Sequence, residues 1–459
     1  MPELPEVETV LRTLEKQLKG QQIEQVKMFY SKILDNIDEN YFIVHLPGQH
    51  FVNFERRGKY LLFVLDDYVL VVHLRMEGKF YVYPKDYDQK DKHTHVIFYL
   101  NNMQLHYNDV RKFGRFYLYK KGMPIECINK LGYEPFDENL TGCYLKKYNR
   151  HNHQKIKTQL LDQEMIAGIG NIYADEICFQ AQINPLRQAR FISGEKYDQL
   201  INACRLILKE AIKQGGTTIR SYTSSLGVTG LFQLSLKVHN RENENCYKCG
   251  NKIIREKVNG RSTYYCPYCQ KNTAIKIAVT GSIGSGKSTV MEYLKNNGYK
   301  TVNCDEINRQ LLSEEDIQLE ISKICGCPFD KKVLIREIFG DTLIGKQVQT
   351  YLHQMIYQRL EKWLKDNENE QVVFAEVPLL FEYDWDYFFD YNVAVITDKD
   401  KLYERLKENR QMNEEEITER LNKQLPAEIK KERADFVIEN NDRSIDLEKK
   451  VQKMLKNII

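Results

Sequence analysis

A chain of 459 residues exceeds what one ordinary hydrophobic core serves, so two or three domains are expected. With 42% hydrophobic and 29% charged residues, and apolar runs no longer than stretches such as Val372–Ala375 and Pro378–Phe381, the composition is globular and excludes a membrane span. The formal net charge of +3 conceals a split: residues 1–273 carry 39 Lys+Arg against 30 Asp+Glu, the remainder 28 against 34. A polyanion-binding first part followed by an unrelated second part fits this asymmetry.

The start, MPELPEVETV, is acidic and lacks an apolar core, so a secretory signal is not expected and the cytoplasm is. Removal of Met1, which the small cyclic second residue permits, would expose Pro2 as a secondary amine. Such an amine is partly uncharged near neutral pH and is a competent nucleophile. Pro2-Glu3 read alone is an ordinary helix start, with proline and acid in the first turn. Between Ile23 and Tyr119, runs such as YLLFVL, VLVVHL, HVIFYL and RFYLYK alternate with turn residues and predict a β-sandwich. From Leu145 to Gln214 the pattern turns helical.

Four of the eleven cysteines form a tight set: Cys246 and Cys249, sixteen residues, then Cys266 and Cys269. Two Cys-x-x-Cys turns joined by a hairpin give four thiolates, enough to fill a tetrahedral zinc shell and leave no open position. The site is therefore expected to be structural. The hairpin strands are IIREKV and STYYC, turning at Asn259-Gly260. The odd total and the scatter of the other seven cysteines predict reduced thiols.

Immediately beyond, IKIAVTGSIGSGKST reads as buried strand, glycine-rich loop and helix start. Its Gly281-x4-Gly286-Lys287-Ser288 spacing is the phosphate-loop pattern. Backbone N–H groups from Gly281, Ser282, Ile283, Gly284, Ser285, Gly286 and Thr289 would cradle the phosphates of ATP. Lys287 would reach the β- and γ-phosphates and Ser288 would offer its hydroxyl to Mg²⁺. An α/β domain with a parallel sheet follows from this context.

The first part resembles the bacterial formamidopyrimidine-DNA glycosylases. The likeness rests on the PELPEVE start, RRGKYL, HLRMEGKF, NDVRKFGR, LLDQ…IAGIGNIYADE, GGTTIRSY, FQLSLKVH and the four-Cys finger, and spans about residues 2–271. It implies a β-sandwich domain (1–130) holding the catalytic amino terminus, a helix–two-turn–helix domain (131–240) and a zinc finger (241–272). It further implies excision of oxidised purines such as 8-oxoguanine and formamidopyrimidines from double-stranded DNA, through a Pro2 Schiff base followed by β,δ-elimination. Glu3 would then move protons and Glu6 would support the pocket. Lys59, Lys157, Asn171 and Arg261 would touch DNA at or near the lesion. Met76, Arg111 and Phe113 would fill the void left by the flipped base, and the loop around Ser221–Thr229 would close over it. His239 stands where the family tends to have tyrosine, and Val110 where proline is common.

Residues 275–459 resemble dephospho-CoA kinase through VNCDEINR, FDKKVLIREIF, VVFAEVPLLFEYDWDYFFD, ERLNKQ and ADFVIENN. The resemblance implies transfer of the ATP γ-phosphate to the ribose 3′-hydroxyl of dephospho-CoA, with Asp305 as base or orienting group. Glu376 retains a carboxylate where aspartate is usual. Three positions depart: Asn303 replaces an aspartate, Tyr357-Gln358 stands for His-Pro, and the lid reads RLKENR, with Asn409 where arginine belongs and Arg410 one place later. One residue turns a helical side chain by about 100°, so Arg405, still in register, is the expected phosphate contact. The chain is thus expected to be a bifunctional monomer. The alternative is an active glycosylase whose second half only binds nucleotide.

Overall fold

The computed structural model describes residues 1–217, 231–339, 342–441 and 444–458. The loop expected around Ser221–Thr229 lies outside them. The described residues form two compact units: Met1–Ala189 with Lys196–Lys271, and Asn272–Ile459 with the short segment Arg190–Glu195.

The first unit opens with the helix Leu4–Leu18. Leu4, Val7, Leu11, Leu14 and Leu18 recur at helical spacing and are all buried, so one stripe of this helix faces the core. Two four-stranded sheets follow, in the orders β1-β6-β7-β5 and β2-β3-β4-β8. Their strands are β1 (Ile23–Met28), β2 (Asn53–Arg57), β3 (Tyr60–Val64), β4 (Tyr68–His73), β5 (Lys79–Pro84), β6 (Thr94–Leu100), β7 (Met103–Asn108) and β8 (Arg115–Lys120). All pairings are antiparallel. One apolar cluster joins the two sheets, with Phe63 and Phe116 from one side and Phe80, Phe98 and Leu105 from the other. This is the expected sandwich. The helices Gly142–Asn149, Ile156–Leu161, Asn171–Gln180 and Gly194–Lys213 then carry the helical stretch.

The cysteine segment forms the hairpin β9 (Ile254–Val258) and β10 (Arg261–Tyr265), with Arg261 opposite Val258. Asn259 and Gly260 both take positive φ, 46° and 75°, as a two-residue turn matching strand twist demands.

In the second unit, β11 (Ile275–Thr280), β12 (Lys300–Asn303), β13 (Val372–Glu376), β14 (Tyr391–Ile396) and β15 (Phe436–Glu439) make one sheet in the order β12-β13-β11-β14-β15. Every pairing is parallel. Covered on both faces, its central strands need continuous apolar sequence, and all five residues of β13 are buried. The chain leaves β11 between β13 and β14, so the crevice at the carboxyl ends of these strands receives the glycine-rich loop.

Phe98 is fully buried and meets Phe42 edge-on at 6.1 Å. Phe98→Ala is expected to remove about 3–5 kcal/mol of stability, read as a lowered urea midpoint of the first unit.

Candidate active sites

The amino terminus is built around a buried carboxylate. Glu3 precedes the first helix, and its side chain accepts hydrogen bonds from Gly170 N (2.7 Å), Ile172 N (2.9 Å) and Tyr173 N (3.3 Å). These are the unpaired amides at the start of the helix Asn171–Gln180, where the helix dipole also favours an anion. Gly170 is required by the approach: a Cβ there would lie 2.3 Å from Glu3 Cδ. Glu6 reaches back to Glu3 N at 2.8 Å and accepts from Tyr173 Oη and Thr217 N, both at 2.7 Å. Burial raises the Glu6 carboxyl above its usual range, and the neighbouring Glu3 charge adds to this. Lys59 is buried and donates to Ile169 O at 2.7 Å. Burial draws its ammonium down to about 8, against the pull of Glu3 and Glu6, with Arg261 adding to the lowering. The terminal amine at Met1 feels Glu3, Glu6, Lys59 and Arg111, and burial lowers it most. Glu3, Glu6, Lys59 and Arg111, drawn from separate stretches of the sequence, thus all act on one amino terminus, and Arg261 acts on Lys59.

Met76 lies between β4 and β5, and Arg111 and Phe113 lie between β7 and β8. Both loops rest on the ring of Tyr107: a Cβ on Gly78 would stand 2.3 Å from Tyr107 Oη, and one on Gly114 1.7 Å. Asp109 is fully buried and ties the second loop through Arg111 N (3.0 Å) and Gly114 N (2.8 Å). Phe113 lies on it 52% exposed, a large apolar side chain half open to solvent.

Lys157 differs from expectation. Its side chain is wholly buried, with Nζ 2.5 Å from Asp175 Oδ1 and 2.8 Å from Ser262 O. The second Asp175 oxygen takes His239 Nδ1 at 2.7 Å. Lys157 thus offers no charge to solvent. It fastens the hairpin residue next to Arg261 to the helix Asn171–Gln180. Glu176, one residue on, accepts the amides of Lys237, Val238 and His239. Asn171 opens this helix, and its Oδ1 is buried without a hydrogen-bond partner. The sequence singled out His239 only as a departure; its link to Asp175 was not legible there.

The ligand sulfurs of Cys246, Cys249, Cys266 and Cys269 all lie within 4.8 Å of one another. The Cys246–Cys269 and Cys249–Cys266 separations are 3.9 and 3.5 Å. A tetrahedron with metal–sulfur arms of about 2.3 Å has edges of about 3.8 Å, so the four thiols fit a Zn²⁺ ion. Gln270, fully buried, secures the second knuckle by accepting from Cys266 N and donating to Ile183 O.

In the second unit, Gly281, Gly284 and Gly286 have φ of 150°, 79° and 95°. Lys287 Nζ donates to the carbonyls of Gly281 (2.9 Å) and Ser282 (3.1 Å), and burial lowers it to about 8. The loop is also held from a distance. Asn440 Nδ2 and Thr397 Oγ1 donate to Ser285 O, and Gln424 Oε1 accepts from Ile283 N. A cavity of about 800 Å³ opens beside it, lined among others by Lys287, Ser288, Asp305, Glu376, Arg405 and Arg410. The shifted Arg410 therefore shares this cavity with Arg405. The hydroxyl of Ser288 and the two carboxylates are the oxygen donors a hard divalent cation takes, so this set fits Mg²⁺.

Asn303 and Glu376 explain each other. Asn303 Oδ1 caps the next helix through Asp305 N (2.7 Å) and Glu306 N (3.2 Å), while its Nδ2 donates to Glu376 Oε2 at 2.8 Å. An aspartate here would cap equally well but repel Glu376. A smaller cavity of about 170 Å³ adjoins Asp305 and is lined by His353, Tyr383 and Trp385. His353, one helical turn before Tyr357, packs on Tyr383 at 4.1 Å. Nothing in the sequence around His353 marks it, since its partner Tyr383 lies thirty residues on.

Asp175→Asn would leave the buried Lys157 ammonium without its counter-ion. A loss of about 3–5 kcal/mol is expected, measured by urea unfolding, and Lys157→Met with Asp175→Asn together should cost less than Asp175→Asn alone.

Comparison with known proteins agrees with both halves. Family models match in four places: the formamidopyrimidine-DNA glycosylase N-terminal domain over residues 1–116, its H2TH domain over 131–223, the zinc finger found in FPG and IleRS over 243–272, and dephospho-CoA kinase over 275–446. A formamidopyrimidine-DNA glycosylase of Bacillus cereus is 46% identical over 277 residues, which cover 59% of this chain and 99% of that protein. The Carboxydothermus hydrogenoformans glycosylase is 44% identical over 272 residues, covering 59% and 100%. Among solved structures, a Lactococcus lactis FPG mutant in complex with Fapy-dG-containing DNA is 38% identical with a TM-score of 0.56, covering 59% of this chain and all of that one. No helix among the described residues is long and apolar enough to cross a membrane. With the buried glutamate, the four-thiol hairpin and the glycine loop each falling inside its matching segment, the chain belongs to the formamidopyrimidine-DNA glycosylase family and carries a dephospho-CoA kinase domain behind it.

Proposed function

We propose that the protein excises oxidised purines from duplex DNA and nicks the strand, and that its second half phosphorylates dephospho-CoA. The observation carrying the first activity is the Glu3 carboxylate, held by three helix-start amides beside the chain's own amino terminus. With Met1 removed, the Pro2 nitrogen attacks C1′ of the flipped nucleotide. The C1′–N bond breaks with its electrons passing to the base, which leaves after taking up a proton, while the amine loses its own. The sugar ring then opens as the C1′–O4′ bond breaks and O4′ takes up a proton, leaving an iminium ion that joins Pro2 to C1′. Glu3 is in position to move protons at the sugar. Loss of the C2′ proton expels the 3′-phosphate, and a second elimination expels the 5′-phosphate. Lys59, Asn171 and Arg261 hold the flanking backbone, Lys157 acts by fixing the Arg261 hairpin, and Met76, Arg111 and Phe113 occupy the vacated space. The four-thiol zinc site keeps that hairpin folded. The domain limits proposed are 1–130, 131–240, 241–272 and 275–459.

For the second half, the support is one cavity that joins the phosphate loop to Asp305 and Glu376. Asp305 takes the proton of the ribose 3′-hydroxyl as its oxygen attacks the γ-phosphorus, and ADP leaves. Mg²⁺ accompanying ATP would be held by Ser288 and the nearby carboxylates and would neutralise phosphate charge. The aromatic cavity at His353, Tyr383 and Trp385 is shaped for a flat apolar group of the acceptor.

Borohydride reduction of full-length protein incubated with an 8-oxoguanine duplex should trap a covalent adduct, which peptide mass spectrometry should locate on Pro2. No adduct from protein shown by mass spectrometry to lack Met1 would sink the glycosylase reading. ATP-dependent formation of CoA from dephospho-CoA tests the other half; nucleotide binding without turnover would leave a binding module only.

Because Lys59 loses its charge as pH rises through about 8, affinity for a duplex containing an abasic-site analogue should fall between roughly pH 7 and 9. Lys59→Arg, charged throughout, should flatten that profile in fluorescence anisotropy.

A further inference from the structure

Beyond β13 the chain reads Phe381-Glu382-Tyr383-Asp384-Trp385-Asp386, acids alternating with aromatic rings. Tyr383 and Trp385 line the cavity of about 170 Å³ beside Asp305, with His353 at 4.1 and 6.1 Å from their rings. The interleaved acids meet a different neighbour, the helix Ala427–Arg433. Arg433 Nη2 donates to Asp384 Oδ1 and Asp386 Oδ1, both at 2.7 Å, and its Nη1 donates to Phe381 O at 2.9 Å. One turn earlier, Lys430 Nζ lies 2.8 Å from Glu382 Oε1.

Burial separates the two clamps. The Asp384 side chain is 80% exposed, where an ion pair contributes little. The Lys430 side chain is wholly buried and that of Glu382 nearly so. Neither Lys430 Nζ nor Glu382 Oε2 finds an aligned hydrogen bond among the described residues. A buried pair with so few supporting bonds is a weak source of stability, because desolvation offsets its attraction. What it fixes is place. The same Glu382 Oε1 accepts Leu425 N at 2.9 Å, and Gln424, one residue before, accepts Ile283 N of the phosphate loop at 3.1 Å. The wall is rooted at its start on β11, where Val377 N donates to Val279 O (2.9 Å) and Thr280 Oγ1 to Pro378 O (3.2 Å). Pro378 and Leu379 line both cavities.

We infer that Lys430 is a positioning residue for the acceptor: it holds Glu382 between the aromatic wall and the 424–425 segment that supports the phosphate loop. Acceptor and donor are thereby presented to each other in one fixed register. This rests on the kinase reading and names what keeps the acceptor side of that site in place.

The chain has two tryptophans, Trp363 and Trp385, so in a Trp363→Phe background the emission reports the cavity wall itself. In full-length protein of that background, Lys430→Met should shift Trp385 emission to the red. It should also raise KM for dephospho-CoA about 10-fold or more, with KM for ATP within about 3-fold. A purely structural role would not split the two KM values. Adding Glu382→Gln keeps an acceptor for Leu425 N and leaves no unpaired buried charge, so the double variant should return to about 3-fold above the parent KM. Lys431→Met, at the exposed neighbour paired with Glu439, should change neither readout. Unchanged emission and acceptor KM in folded Lys430→Met, or equal rises in both KM values, would overturn the assignment. If Lys430→Met does not fold, parental emission and KM in the double variant would overturn it equally. Failure of the unsubstituted protein to phosphorylate dephospho-CoA would sink the kinase reading instead. The emission of Trp385 needs no substrate and still decides whether Lys430 sets the wall.

Discussion

The first unit depends on one helix, Asn171–Gln180, used at two levels. Its first amides would be orphaned in any buried helix, and here they are satisfied by a single carboxylate from the other end of the unit, Glu3. One turn later, Asp175 and Glu176 hold the zinc hairpin and the 237–239 segment. One rigid helix thus ties the amino-terminal segment to the hairpin that carries Arg261. Buried charges are tolerable along it only because each is matched: Lys157 against Asp175, and Glu176 against three amides.

The second unit solves a similar problem mostly with neutral groups. Its phosphate loop is fixed largely through its carbonyls, with the Ile283 N–H held by Gln424. Thr397 and Asn440 bind Ser285 O, and the loop lysine turns inward on Gly281 and Ser282. A Cβ on Gly286 would stand 2.2 Å from Asn440 Nδ2, which makes glycine a packing requirement as well as a conformational one. Asn303 against Glu376 follows the same economy: the longer carboxylate is accepted because its neighbour is an amide.

Local signals carried far. The cysteine spacing, the Asn259-Gly260 turn and the glycine loop each encode their geometry within a few residues, and alternating apolar runs marked four of the eight sandwich strands. What stayed hidden depends on partners remote in sequence. Nothing near Lys157 says that it will be sealed against Asp175 and Ser262. Nothing near Ile283 announces Gln424, and Arg410 reads as displaced until the cavity it shares with Arg405 is seen. A substitution pair such as Asn303 and Glu376 looks like two separate departures in one dimension and like one compensated contact in three.

Tyr107 adds a mechanical point. Glycine lets both loops close on the same ring, and Asp109 pins the second of them by two backbone amides. In the proposed void-filling role, Met76, Arg111 and Phe113 would act as parts of one stiff probe rather than three independent fingers. A probe of that kind meets a duplex with its shape already set. The work of opening the stack then falls on the DNA, and base pairs that yield most easily under bending would be entered first.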